Sequence, residues 1–282
     1  MALREPVYLR PSALDEVLEL LGRPGAVVLS GGTDFFPERL YLPRTETVVD
    51  ISDVAALRGI TRNNDTWRFG AATTWREVRE ADLPPAFDGL RRAASQVGGV
   101  QMQNAGTVGG NLCTASPAGD GIPPLLTLGA LVELRSSEGT RVLALEEFIT
   151  GYRHTALRRG ELVASVLVPN PPDGARGAFV KIGVRAHLVI SIVMVAVVTV
   201  VDAGVITDAR VAVGACSPVA QRLGRVEEAL TGCPHRREAV DAALATAPLS
   251  ELSPIDDVRS SAGYRTRVVR QLVSDAVFVD AT

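Results

Sequence analysis

Two glycine-rich runs, one near the N-terminus and one in the middle of the chain, constrain the fold more than any other feature. The longer run covers residues 104–120 and combines glycines with small hydroxyl residues, amides and one carboxylate. The shorter run, residues 27–34, begins with a short apolar stretch that leads into Gly31 and Gly32. Glycine lets a ligand approach the backbone closely, and successive free N–H groups in such turns bind anions. Two turns of this kind are expected to grip one diphosphate from both sides, which indicates a dinucleotide cofactor.

Each of these features has a purely structural alternative. Gly31 and Gly32 can form only a tight turn between a strand and a helix, and residues 109–111 can form a structural turn of their own. Asp120 can cap a short helix that starts near Pro123. The sequence leaves these alternatives open.

The composition is that of an ordinary globular protein of one large or two smaller domains. Hydrophobic residues make up 46% and charged residues 22% of the 282 residues, which is enough for a full core and argues against disorder. The net charge of −3 gives no sign of a nucleic-acid or anionic-membrane surface. We therefore expect neither nucleic acid nor membrane as a partner.

Cysteine spacing and hydropathy indicate the cellular compartment of the protein. Cys113, Cys216 and Cys233 form no C-x-x-C pair, so we expect no metal site or iron–sulfur cluster held by this chain alone. The N-terminal residues lack the apolar core of a signal peptide, and the apolar run at 188–201 is too short to span a bilayer comfortably. We expect a cytoplasmic protein with no membrane span, in which this run forms a buried strand or strand pair.

Alternating short strands and helices are predicted up to a Pro- and Gly-rich linker at residues 170–175. Ser12 is the predicted N-cap of the first helix, and Thr74 with Glu77 has capping-box spacing. The run at 104–120 is predicted to be one long loop. Beyond the linker we predict three antiparallel strands followed by three helices, the first of them over 219–230.

A succession of motifs along nearly the whole chain resembles the FAD-binding medium subunit of the molybdenum hydroxylases, the group of xanthine dehydrogenases and aerobic carbon monoxide dehydrogenases. The motifs lie at residues 6–8, 30–34, 70–74, 103–120, 179–185 and 257–265. One of them alone would be weak evidence, but their order and spacing are those of the family.

The resemblance implies an α+β fold. Residues 1–170 would form a two-lobed FAD-binding domain of the vanillyl-alcohol-oxidase (PCMH) type. Residues 176–282 would form a smaller C-terminal domain, a three-stranded antiparallel sheet with helices.

The resemblance also implies the FAD contacts. One side of the diphosphate would be held by Val28, Leu29, Ser30, Gly31, Gly32, Thr33, Asp34 and Phe35, and the other side by Gly106, Thr107, Val108, Gly109, Gly110 and Asn111. Asp120 would accept hydrogen bonds from a sugar hydroxyl or the flavin tail, and Val97 and Val163 match apolar positions near the cofactor. Lys181, the only lysine in the chain, falls on an FAD-contacting position. Tyr264 and Arg265 are expected to serve packing or an interface.

The implied function is electron transfer. A large subunit would carry the molybdenum cofactor and a small subunit two [2Fe–2S] clusters, in a heterotrimer or a dimer of heterotrimers. Electrons would pass from those clusters through FAD to NAD⁺, oxygen, a quinone or a carrier, and this chain would supply no catalytic acid–base residue and no metal ligand. Two alternatives remain: a self-contained FAD oxidoreductase on the same fold, and a non-redox scaffold subunit that has lost FAD.

The chain departs from the family after Lys181, where the family segment often carries an acidic residue before the apolar strand. Residues 185–190 contain none. Since this segment lies near the flavin ring in relatives, the departure leaves the tuning of the ring and the choice of acceptor open.

Overall fold

The structure is a computed structural model and describes residues 7–39, 46–185 and 190–279. The strands are β1 Val7–Leu9, β2 Ala26–Leu29, β3 Thr47–Asp50, β4 Ile60–Arg62, β5 Thr66–Gly70, β6 Leu131–Ser136, β7 Gly139–Ala144, β8 Ile149–Gly151, β9 His154–Thr155, β10 Leu162–Pro169, β11 Arg176–Ile182, β12 Val193–Asp202, β13 Val205–Gly214 and β14 Gln221–Arg222. The α-helices are α1 Leu14–Leu21, α2 Phe35–Glu38, α3 Trp75–Glu80, α4 Asp88–Gln96, α5 Val100–Ala105, α6 Val108–Thr114, α7 Ile122–Thr127, α8 Leu145–Phe148, α9 Gly224–Leu230, α10 Arg237–Thr246 and α11 Ala262–Val277. Residue 6 and residues 186–189, on which two of the sequence predictions fall, lie outside the described ranges.

A small parallel sheet comes first, in the order β1-β3-β2. Its valines favour extended backbone, and α1 packs its apolar face against it. Gly22 ends α1 as expected. The predicted cap is wrong, however, because Ala13 occupies the N-cap position and no side chain caps the helix there.

The largest core lies under a five-stranded sheet in the order β4-β5-β10-β6-β7. Its fully buried side chains include Phe69 and Phe87, which contact each other, and Trp75 on α3. Thr74 and Glu77 form the predicted capping box, with the Thr74 side chain accepting from the Glu77 N–H and the Glu77 carboxylate accepting from the Thr74 N–H. This box starts α3 directly before the core residue Trp75.

The last sheet is antiparallel, in the order β11-β12-β13-β14. It contains a fourth strand that the sequence analysis missed, because Gln221 and Arg222 pair with β13 where a helix was predicted. As a result α9 begins only at Gly224. Helices α9, α10 and α11 cover one face, and α4 and α7 contact the other. Because both faces are covered, residues 193–198 of β12 are all buried.

The second glycine run also differs from the prediction. Residues 104–114, expected to be part of one long loop, instead complete α5 and form α6, separated by a break at Gly106 and Thr107. Thr107 is the N-cap of α6, and its side-chain oxygen accepts from the Gly110 N–H. The cap offsets the poor helix propensity of paired glycines, which is why a glycine-rich segment is helical here.

Across the described ranges, no helix is both long enough and apolar enough to cross a membrane.

Candidate cofactor-binding site

The two glycine runs meet in space. We call residues 30–34 the first glycine turn and residues 106–111 the second glycine segment. A β-carbon on Gly31 would overlap the carbonyl oxygen of Ala105, so only glycine permits this approach. The hydroxyl oxygens of Ser30 and Thr107 lie 3.1 Å apart although the residues are 77 positions apart in sequence. The predicted juxtaposition of the two segments is therefore present.

The first glycine turn presents unused hydrogen-bond donors. It connects β2 to α2, and the main-chain N–H groups of Gly31, Gly32 and Thr33 donate to no other described residue. These residues are half-buried rather than fully exposed. Consecutive N–H groups left free in this way form a concave site that favours an anion such as a phosphate.

The second glycine segment presents one unused donor, the Thr107 N–H, and its other main-chain N–H groups are bonded within the protein, which corrects the expectation of two equivalent turns. The N–H groups of Val108 and Gly109 donate to the carbonyls of Thr73 and Ala71 at 2.9 and 2.8 Å. The N–H of Gly110 donates to the Thr107 hydroxyl at 3.1 Å. Residues 108–111 are helical, and the N–H groups of Val108 and Gly109 hold α6 against residues 71–73.

Close packing also explains why position 109 of this segment is a glycine. A β-carbon on Gly109 would lie 2.7 Å from the β-carbon of Ala71, which is closer than two such carbons can approach. A bulky residue at position 109 would therefore disturb the protein itself. For this reason, loss of a ligand in a Gly109 variant would not identify Gly109 as a contact.

Asn111 brings an unused acceptor to the same region. It lies on α6 beside Gly119 and Gly121, which flank Asp120 in sequence. Its side-chain oxygen is buried and has no hydrogen-bond partner among the described residues. A buried carbonyl without a partner is unfavourable unless a ligand or water supplies the donor. The free N–H groups of the first turn and this acceptor together fit a ligand that carries both phosphate and hydroxyl groups, as a dinucleotide does.

Asp34, at the end of the first glycine turn, is used within the protein. Its carboxylate accepts from the Thr114 hydroxyl at 3.0 Å and from the Arg153 guanidinium at 2.7 Å. Arg153 also pairs with Glu38 on α2. Arg153 lies at the tip of the β8–β9 hairpin with a φ of 54°, and no sequence pattern singled it out. Asp34 thus fixes the first turn to α6 and to this hairpin.

Asp120 and Lys181 form a buried ion pair. Lys181 Nζ lies 2.7 Å from Asp120 Oδ2, and the two side chains are 6% and 10% exposed. Lys181 also donates to the Gln96 carbonyl at 3.0 Å, and the Ser191 hydroxyl donates to Asp120 Oδ1 at 3.0 Å. Ser191 was not predicted as part of this group, although it is the only polar residue in the apolar stretch at 188–198.

The electrostatics of this pair are set by competing effects. Burial raises the pKa of Asp120 above its usual value, because the charged form loses hydration. The positive charge of Lys181 and the hydrogen bonds from Lys181 and Ser191 oppose that rise. A buried carboxylate whose charge is balanced in this way retains free lone pairs and can accept a further hydrogen bond.

The remaining predicted residues lie around these groups. Val28 and Leu29 end β2 directly before the first turn, and Phe35 begins α2 with the Arg39 guanidinium 3.9 Å from its ring centre. Val97 follows α4 and is half-buried against the large core. Val163 is only 3% exposed, packs within that core and pairs with Leu134 in the sheet, so it offers little surface to a ligand.

Comparison with known families accounts for most of the chain. The family described as the FAD binding domain in molybdopterin dehydrogenase matches residues 2–171. The family described as the CO dehydrogenase flavoprotein C-terminal domain matches residues 178–278.

Individual proteins resemble the chain over most or nearly all of its length. It is 34% identical over 247 residues to the nicotinate dehydrogenase FAD-subunit of Eubacterium barkeri, covering 84% of this chain and 83% of that one. It is 30% identical over 278 residues to the carbon monoxide dehydrogenase medium chain of Afipia carboxidovorans, covering 96% and 94%. A solved structure of carbon monoxide dehydrogenase from Hydrogenophaga pseudoflava superposes with a TM-score of 0.89 at 28% identity, covering 98% of this chain and 97% of that one.

Proposed function

Because the chain belongs to the FAD-binding subunits of the molybdenum hydroxylases, we propose that it holds FAD as the electron relay between partner subunits and an external acceptor. Substrate oxidation takes place on a partner subunit. When bound, FAD supplies the redox chemistry that lets electrons from [2Fe–2S] clusters reach a two-electron acceptor. The protein's part is to bind, orient and electrostatically tune it.

The observation that carries this proposal is the set of free N–H groups on Gly31, Gly32 and Thr33, held against the second glycine segment. These donors suit the diphosphate of a dinucleotide, whose two negative charges need several N–H partners. Thr107 would contribute its hydroxyl and its main-chain N–H, which donates to no described residue, and Asn111 its side-chain oxygen, since the other amides of that segment are already bonded.

The remaining contacts are assigned by their chemistry. Asp120 and Lys181 would face the ribityl or ring part of FAD, where a carboxylate accepts from a hydroxyl and an ammonium donates to a ring oxygen or nitrogen. Val28, Leu29, Phe35, Val97 and Val163 would line the cofactor with apolar or main-chain atoms. The other assigned contacts are Ser30, Asp34, Gly106, Val108, Gly109 and Gly110. We assign no catalytic acid or base and no metal ligand to this chain.

We further propose that residues 1–170 form a PCMH-type FAD domain and residues 176–282 the C-terminal domain. The partners would be a large molybdenum-cofactor subunit and a small [2Fe–2S] subunit, in a heterotrimer or a dimer of heterotrimers. NAD⁺, a quinone or oxygen would accept the electrons. The relatives named for nicotinate and carbon monoxide make these two compounds reasonable first substrates to assay.

The experiment is to co-express the chain with its neighbouring reading frames, purify the complex, and measure molybdenum, iron and flavin. The intact complex and a complex depleted of FAD by mild chaotrope are then assayed with nicotinate, carbon monoxide, purines and aldehydes. Three electron acceptors are compared in these assays: NAD⁺, a quinone, and a one-electron dye that can draw electrons directly from iron–sulfur clusters.

The proposal predicts that depletion abolishes reduction of the two-electron acceptor, spares dye reduction, and is reversed by added FAD. Purification of the chain without molybdenum or iron partners, but with flavin and an activity of its own, would favour the self-contained oxidoreductase. Purification with partners but no flavin would favour the non-redox scaffold.

A further inference from the structure

Arg265 is a buried cation that joins two strand ends. It lies in the first turn of α11 and is 2% exposed. Its Nη1 donates to the carbonyl of Ile192 at 2.6 Å, just before β12, and to the carbonyl of Ala215 at 2.7 Å, just after β13. One guanidinium therefore fixes the start of one central strand and the end of its neighbour.

The charge of Arg265 is balanced by Asp257. The Nη2 of Arg265 donates to Asp257 Oδ1 at 2.7 Å. Desolvation raises the pKa of Asp257, but the N–H groups of Arg259 and Ser260 and the charge of Arg265 more than offset this and lower it. Asp257 is thus ionised at neutral pH and supplies the counter-charge that a buried guanidinium requires.

Both strand ends touch the loop at residues 116–120, which contains Asp120. Ser191, the residue before Ile192, donates its hydroxyl to Asp120 Oδ1 at 3.0 Å. Ala215 donates its N–H to the Pro117 carbonyl at 2.8 Å. Two short chains of contacts therefore run from Arg265 to this loop, one through β12 and one through β13.

Backbone strain is present on the route through β13. Ala215 has a φ of 61°, in the left-handed region that an alanine rarely adopts. Such a conformation persists only where the surroundings hold it. The hydrogen bonds to Arg265 and from its own N–H to Pro117 are the contacts that restrain Ala215 on its two sides.

We propose that Arg265 is a positioning residue for the flavin: it holds residues 191 and 215 so that Asp120, with Lys181, meets the cofactor in one fixed arrangement. This inference rests on the proposed FAD site. Arginine suits the task because its planar fork serves two carbonyls and a carboxylate at once, which a lysine ammonium at the same place cannot do with the same geometry.

The test compares Arg265→Met and Arg265→Lys with Arg270→Met in the full chain, co-purified with whatever partner subunits it binds. Arg270 is a matched control, because it lies on the same helix and also donates to two carbonyls, those of Leu244 and Ala247, at 2.8 and 2.9 Å. The measured quantities are the Kd for FAD, the visible circular dichroism of the bound flavin at saturation, and the urea midpoint.

We expect Arg265→Met to weaken FAD binding about tenfold, the low end of the losses seen when a residue that orients a metal ligand from outside is removed. The circular dichroism should change as well, and Arg265→Lys should recover part of both effects. Arg270→Met should lower the urea midpoint without changing the Kd or the dichroism. Equal effects of Arg265→Met and Arg270→Met on the Kd and the dichroism would overturn the inference.

Ser191→Ala keeps the test decisive if Arg265→Met does not fold. It removes only the hydroxyl that links β12 to Asp120, so it should alter the dichroism of the bound flavin without a large loss of stability. Ser191 is the residue on these two routes that bonds the Asp120 side chain itself, so an unchanged Kd and spectrum in Ser191→Ala would overturn the inference. A wild-type chain that takes up no FAD at all would instead contradict the proposed function, which separates the two failures.

Discussion

Lys181 Nζ and Asp120 Oδ2 lie 2.7 Å apart although 61 positions separate the two residues in sequence. Lys181 lies one residue before the end of β11 in the last sheet, whereas Asp120 belongs to the loop before α7. The pair is almost completely buried, so neither charge is screened by water as a surface pair would be. It therefore links the last sheet to the loop that carries the candidate cofactor contacts.

Lys181→Met should leave Asp120 buried without a counter-charge. We expect a loss of about 3–5 kcal/mol in the free energy of unfolding, the range typical when one partner of a buried pair is removed. The pKa of Asp120 should rise further, because the charge that opposes the effect of burial is gone. Urea unfolding of the FAD-free chain checks the stability. If the double variant Asp120→Asn/Lys181→Met is no more stable than Lys181→Met alone, the pair is not coupled as described.

Gly31→Ala tests the close approach of the two glycine segments. Its β-carbon would overlap the Ala105 carbonyl, so the segments must separate. We expect a loss of about 1–3 kcal/mol, as for overpacked sites, together with much weaker FAD binding. Gly224→Ala is the control, since a β-carbon there meets nothing within 4 Å at the start of α9. It should be neutral or slightly stabilising, and equal effects at both positions would argue against the contact.

Thr107 carries two functions in one hydroxyl. It caps α6 through the Gly110 N–H and contacts Ser30 in the first glycine turn. Thr107→Ala should lower stability by about 1 kcal/mol through the lost cap and also weaken FAD binding. Thr107→Ser keeps the hydroxyl and should preserve both, as measured by thermal unfolding and FAD titration. Weak FAD binding in Thr107→Ser would mean that the methyl group, and not the hydroxyl, matters.

The free energy of unfolding is expected to depend on pH through the ionisation of Glu161. Its carboxylate accepts from Arg141 at 2.6 and 2.8 Å, and chiefly these hydrogen bonds lower its pKa below the ordinary value of 4.5. A carboxylate whose native pKa is lowered stabilises the fold above the unfolded pKa, and this stabilisation is lost as the pH falls through the native pKa. Glu161→Gln should therefore reduce stability by about 2 kcal/mol at neutral pH.

The difference between wild type and Glu161→Gln should shrink as the pH falls below 4.5. Urea unfolding at a series of pH values measures it directly. A difference that stays constant across this range would show that the effect of the substitution is not carried by the charge.

The sequence predicted most elements where the signal was local. Strands rich in valine, the Gly22 helix end and the Thr74 capping box all depend on neighbours within a few residues, and each is present. The short strand at Gln221 and Arg222 was missed, because only its pairing with the distant strand β13 makes those residues extended.

In the candidate site, too, features set by local sequence could be predicted and features set by distant contacts could not. Residues at both glycine runs could be named from composition and family resemblance, and their proximity could be expected. The helical state of the second run could not, because it depends on the distant carbonyls of Ala71 and Thr73 that bond its amides. Arg153 and Arg265 were not assigned to the site, since a single arginine in sequence gives no indication of which carbonyl or carboxylate it will meet.

The central claim is that the first glycine turn, set against the second glycine segment, binds the diphosphate of FAD. The most direct measurement is calorimetric titration of the flavin-free chain with FAD, FMN and riboflavin under identical conditions. The account predicts one FAD per chain and binding at least about a hundredfold weaker for riboflavin, since loss of several charge-assisted hydrogen bonds removes more than about 3 kcal/mol. FMN should lie between them. Equal affinity for all three, or no binding of FAD, would contradict the account.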